Sequence, residues 1–206
     1  MNRILLLLLF IGQVVLGQTK LTQEEINLLN ESVKANAKNT KTIVSDFVQK
    51  KHLDFLTNDI KTEGNLIFKA PNLIKWEYKK PYSYIAIFKE NAIYINDNGD
   101  KNSFDLSSNK SFKHFNKLIV SSIKGDLFSE SDFIINYFKD KENYLVKFEP
   151  KNESFKKMIK SFELLFDKKT FDVVEIKMNE SNTDYTKISF LNKKLNQPVS
   201  NDAFSN

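Results

Sequence analysis

The sequence predicts a mainly β protein of the α+β kind, an antiparallel sheet that curls beneath two helices. Three observations predict it. Short segments in which apolar and charged residues alternate recur along the chain, the pattern of half-buried strands. Turn signals separate them about every eight to twelve residues, as in antiparallel all-β folds. Only two stretches carry helical spacing. Phe is abundant, 18 of 206 residues, in a chain that is 28% charged, and the two kinds of residue sit side by side within those segments.

The N-terminus reads as a secretory signal peptide over residues 1–17. Met1, Asn2 and Arg3 make a positive start, Ile4 to Ile11 is an apolar run, and Val15 and Gly17 occupy cleavage-site positions. The run is short for a membrane span, which needs about 20 residues. Cleavage after Gly17 leaves residues 18–206 as one soluble domain. The chain has no cysteine. Disulfides, thiolate catalysis, zinc-thiolate sites and iron–sulfur clusters are therefore excluded, as is a lipid anchor of its own by the bacterial cysteine route. Lys and Arg total 31 against 26 Asp and Glu. The two signs are interleaved, and pairs such as Lys50 with Lys51 and Lys156 with Lys157 are scattered. That describes solvated faces, with no concentrated nucleic-acid footprint.

Residues 21–38 form the first predicted helix. Thr22 and Glu25 make a capping box, and Ile26, Leu29, Val33 and Ala37 share one stripe. From Thr42 to Lys51 the β-branched and polar residues favour a strand. A meander follows. Gly64 to Lys69 is stopped by Pro71, Leu73 to Tyr78 by Pro81, and Tyr84 to Phe88 and Ala92 to Asn96 lead to the hairpin signal Asn98-Gly99. Between Ser111 and Gly125 helical spacing returns, with Phe112, Phe115, Ile119 and Ile123 on a stripe. Strands are then expected at Asp132 to Phe138, Tyr144 to Phe148, Ile159 to Phe166, Val173 to Met178 and Tyr185 to Phe190. Phe162, Leu164 and Phe166 should share a face, as should Val174, Ile176 and Met178. A sheet of this width with one apolar face must be covered, because each large exposed apolar side chain forgoes about 1.5 to 3 kcal/mol. Two helices are little cover, so incomplete coverage would leave a hydrophobic cavity.

Several local motifs resemble one family. Phe47-Val48-Gln49, then Gly64-Asn65-Leu66, then Pro71-Asn72 with Trp76, then Pro81, look like the outer-membrane lipoprotein carrier (LolA) family. The strand Asn91 to Asp97, the segment Asp184 to Phe190, Asn196 and Phe204 are similar to it as well. The resemblance implies a half-open β-barrel whose helices form a lid over a hydrophobic cavity. It implies a periplasmic carrier that holds lipoprotein acyl chains between an inner-membrane exporter and an outer-membrane receptor. Lipid-contacting residues would be Leu66, Phe68, Ile74, Trp76, Tyr78, Ile93, Phe115, Ile119, Phe162 and Leu164, and plain core packing is the alternative for each. One departure is visible. Many members carry Arg directly before the Pro of this segment to fasten the lid, whereas Ala70 stands here; Lys69 beside it should point to the opposite face.

No catalytic constellation accompanies these features. His52 and His114 are the only histidines, no Gly-rich phosphate loop exists, and neither Ser107-Ser108 nor Ser121-Ser122 has a nucleophile-elbow context. The expectation is a monomeric non-enzyme with no cofactor, no metal and no nucleic-acid partner, taking acylated lipoproteins or other lipids. A periplasmic sensor, or a carrier for another lipid, is the alternative on the same fold. A purely structural β-protein would fill the inner face completely.

Overall fold

A computed structural model describes residues 18–89, 91–105 and 131–205. The expected signal peptide and the second predicted helix, with Phe115, Ile119 and His114, lie outside the described residues.

Helix α1, Gln23–Asn39, begins where its caps dictate. The Thr22 side chain accepts from the Glu25 backbone N–H, and the Glu25 carboxylate accepts from the Thr22 N–H, satisfying two of the otherwise unpaired donors of the first turn. Its apolar stripe is buried at Leu29 and Val33, while Leu28 on the far side is half exposed.

Among the described residues twelve strands form one antiparallel sheet, where about ten were expected, in the order β1-β8-β9-β10-β11-β12-β2-β3-β4-β5-β6-β7. They are β1 (Thr19–Lys20), β2 (Thr42–His52), β3 (Ile60–Lys69), β4 (Leu73–Lys80), β5 (Tyr84–Lys89), β6 (Ala92–Asp97) and β7 (Asp100–Asp105). The second half contributes β8 (Phe133–Lys139), β9 (Asn143–Pro150), β10 (Ser161–Asp167), β11 (Val173–Asn179) and β12 (Tyr185–Leu195). Each half is a meander, and the long strands β12 and β2 zip the halves together from Tyr185↔His52 to Leu195↔Ile43. The outermost strands β1 and β7 do not pair with each other, so the sheet is open.

One face carries the core. Register places Leu66 opposite Trp76 and Phe68 opposite Ile74, Ile74 opposite Phe88, and Phe162 between Phe148 and Met178. These side chains and Leu29 and Val33 of α1 make one continuous cluster. The outer face is polar and carries pairs such as Lys187 with Glu175 at 3.3 Å and Lys75 with Glu77 at 3.4 Å.

Two bulges alter the expected alternation. Between Leu165 and Phe166 the register slips, so that Phe166 faces Val173. Val173 therefore packs on the core, where Val174 was expected. In β12 pairing jumps from Leu191↔Asp46 to Lys194↔Val44, around Asn192 at φ 53. A short helix α2, Glu153–Lys156, capped by Asn152, precedes β10. A final 3₁₀ turn, Asn201–Phe204, was not foreseen; it buries Phe204 outside the main cluster.

Candidate functional site

The motifs singled out in the sequence meet in an aromatic group on the inner face. Phe47 of β2 lies opposite Gly64 of β3, which lies opposite Tyr78 of β4. An added Cβ at Gly64 would fall 2.6 Å from Phe47 Cζ and 1.9 Å from the Glu77 carbonyl oxygen, so only glycine lets the ring fold down over the strand. There Phe47 meets Trp76 at 4.6 Å between ring centroids and Tyr78 edge-on at 5.3 Å. Phe190 of β12 closes the group at 6.2 Å from Trp76. Gln49 Oε1 accepts from the Tyr78 hydroxyl at 2.9 Å. Burial pushes that hydroxyl up to about 12, since the phenolate would lose its solvation.

Beside this group, between α1 and the sheet, lies a pocket of about 70 Å³. Its apolar wall includes Val33, Ile43, Leu66, Trp76, Phe166 and Ile176, and Leu195 lies at its exposed side. Most of its polar groups gather at the end formed by the last turn of α1, the β10–β11 turn and the β12 bulge, namely Asn36, Thr40, Asp172 and Lys193, and Ser45 of β2 also lines it. Asn36 Nδ2 donates to the Thr170 carbonyl at 2.6 Å and Thr40 Oγ1 to the Asn36 carbonyl at 2.7 Å. At the other end of α1, Lys139 pairs with Glu25 and holds the Glu25 carboxyl below the usual range, together with the Thr22 N–H. These few polar ties and the apolar stripe fix the helix on the sheet.

Of the residues named from sequence, Leu66, Phe68, Ile74, Trp76, Ile93, Phe162 and Leu164 are buried in one cluster, with Tyr78 partly buried against it. Only Leu66 and Trp76 also line the pocket. Ile74 and Leu164 are fully enclosed, each at 0% exposure, which is core packing. Sequence reasoning missed Phe171, Phe190, Lys193 and Asp172. For Phe190 the signal was present, since it continues the alternation of Ile188. Lys69 points away from the core as alternation requires: its Nζ donates to the Val199 carbonyl at 2.8 Å and to Asn201 Oδ1 at 2.6 Å. It fastens the C-terminal segment, and does not replace the missing arginine.

An open antiparallel sheet with a single apolar face, a helix laid across it and a lined space between them defines a LolA-like fold. The family model described as outer membrane lipoprotein carrier protein LolA matches residues 38–206; the chain belongs to that family. The fold is similar to that of the Mycobacterium tuberculosis lipoprotein LppX, with a TM-score of 0.51, 10% identity, and coverage of 87% of this chain and 99% of that one. A DUF1329 family protein from Desulfovibrio piger gives a TM-score of 0.50 at 9% identity over 87% and 97% of the two chains. The LolA superfamily protein NE2245 from Nitrosomonas europaea aligns at 0.47, with 7% identity over 87% and 97%. No curated protein matches the sequence.

Proposed function

We propose that this protein is a periplasmic carrier that holds lipoprotein acyl chains on the inner face of its sheet and delivers them from an inner-membrane exporter to an outer-membrane receptor. The observation that carries the reading is the apolar pocket beneath α1 in a chain of the lipoprotein carrier family. Residues 1–17 serve as the export signal, and residues 18–206 as the single carrier domain. Leu66 and Trp76 contact the cargo first; Phe68, Ile74, Tyr78, Ile93, Phe162 and Leu164 back them, and Phe115 and Ile119, outside the described residues, complete the proposed set.

Magnitudes decide how cargo enters. A space of about 70 Å³ holds roughly five water-sized groups, far less than a whole acyl chain, so α1 must act as a lid and move outward. Lifting it exposes Leu29 and Val33, at roughly 3 to 6 kcal/mol together. An entering chain returns about 0.8 kcal/mol per buried methylene, so some four to eight methylenes offset the displacement. A longer chain leaves a net gain, and no nucleotide is needed until a receptor with a larger apolar site competes.

Cross-linking tests this reading. The chain has no native cysteine, so Asn36→Cys with Thr170→Cys, joined by a short bismaleimide, should pin α1 and abolish the acyl binding that the same double variant shows when left unjoined. Undiminished binding by the pinned protein would exclude α1 as the lid. The absence of an arginine at Ala70 favours a second reading, a carrier for another lipid, because the latch typical of the family has no counterpart there.

A further inference from the structure

We propose that Lys193 is the polar anchor of this pocket, taking the carbonyl oxygen of an ester- or amide-linked acyl chain whose hydrocarbon enters between α1 and the sheet. The inference rests on the carrier reading and adds the chemistry that recognises the head of the cargo.

The position is built. In an unbroken β12 strand, Ile188 and Phe190 would be followed on the inner face by residue 192, with residue 193 outside. Instead Asn192 sits at φ 53, its Nδ2 donates to Asp46 Oδ2 at 2.8 Å, and Lys193 turns inward to line the pocket. A bulge beside a binding site commonly re-aims one side chain in this way. The second bulge, in β11, lies next to it. Pairing between β11 and β12 starts only at Glu175↔Ser189, which leaves Val173 without a β12 partner. Lys193 Nζ donates to the Val173 carbonyl at 2.6 Å.

One acceptor leaves two of the three ammonium donors to be used. Asp172 Oδ1 stands at 4.0 Å, beyond hydrogen-bond reach, and the Phe190 ring centroid at 6.0 Å. Asn36, Thr40 and Ser45 line the same pocket but donate to the Thr170, Asn36 and Leu191 carbonyls; the rest of the lining is apolar, and burial holds the Lys193 ammonium below the usual lysine range, opposed by Asp172. Satisfying a single carbonyl does not require a charge, and burying one there is costly. A further acceptor from a ligand completes the set.

Charge selects the kind of acceptor. The Asp172 carboxylate and the negative end of the α1 dipole line the same space. Together they already balance the ammonium, so a second full negative charge meets repulsion. A neutral ester or amide carbonyl accepts the same hydrogen bond without that penalty, and is preferred over a free fatty-acid carboxylate.

The test uses the exported protein with three probes of matched chain length, methyl decanoate, decanoate and decane, read by the fluorescence of Trp76, the single tryptophan. Wild type should bind methyl decanoate about tenfold more tightly than decane, and more tightly than decanoate. Lys193→Met should bring the ester to within about twofold of decane in the same variant, while Lys193→Gln, which keeps a donor, retains part of the preference. Asp172→Asn should strengthen decanoate relative to the ester by about tenfold. Ratios within one variant are insensitive to general loss of stability. An ester preference that survives Lys193→Met, or a wild type that holds ester and decane alike, overturns the anchor and leaves the carrier reading standing. Failure of wild type to bind any of the three probes removes both.

Discussion

Gly64→Ala puts the architecture under the pocket to a quantitative test. The new methyl would lie 1.9 Å from the Glu77 carbonyl oxygen and 2.6 Å from the Phe47 ring. The first neighbour is backbone and has no rotamer to retreat into, so the β3–β4 pair must open at its register shift between Glu63 and Gly64. Overpacking of this severity belongs at the upper end of the usual range, about 3 kcal/mol, or roughly 6 to 12 °C in Tm for a chain of this size. Gly99→Ala is the matched control. Nothing lies within 4 Å of its added Cβ, and only its φ of +101 is at stake, worth about 1 kcal/mol and 2 to 4 °C. Thermal melts followed by circular dichroism and by Trp76 emission measure both, and Gly64→Ala should also shift the emission because Phe47 is pushed against the indole. If Gly64→Ala melts no lower than Gly99→Ala, the seating of Phe47 on bare backbone is wrong.

The remaining expectations concern α1, the exposed side of the pocket and pH. Leu29→Ala removes a fully buried side chain from α1 and should destabilise by about 2 to 5 kcal/mol, read as a lower urea midpoint. Leu195→Glu sits at the exposed side of the pocket, 36% accessible, so acyl binding should fall at least about tenfold with little change in Tm; equal loss of both would place Leu195 in the fold and not the entrance. Tyr78 ionises near 10 when unfolded and about 12 when folded, so the unfolded chain releases its proton first and stability falls as pH rises from about 10 toward 12. The loss amounts to roughly 2 kcal/mol, and Tyr78→Phe should flatten that limb of the urea-midpoint profile.

Much of the fold was written locally. The Thr22–Glu25 capping box set the start of α1 within two residues, and Asn98 and Gly99, both at positive φ, form the hairpin that their side chains predicted. What escaped was decided by partners far away in sequence. β7 is exposed throughout and offers no apolar alternation to read. β12 runs on to Leu195 through polar residues because β2 supplies a ladder beyond Phe190. Phe204 is buried by a turn that no periodicity announces. The candidate site was half legible for the same reason: alternation found Leu66 and Trp76, whereas Lys193 and Val173 reach the pocket through bulges that break alternation. Lys193 would have been assigned to solvent by any regular count.

The most direct test is native mass spectrometry of this protein recovered from the periplasm of cells that export it, alongside Leu195→Glu prepared in the same way. The wild-type protein is predicted to carry adducts whose masses correspond to acylated peptide or lipid, released by organic extraction and lost in the variant. A wild-type protein that emerges without any such mass, under conditions that preserve the bound lipid of a known carrier, would contradict the claim that the space beneath α1 exists for hydrocarbon.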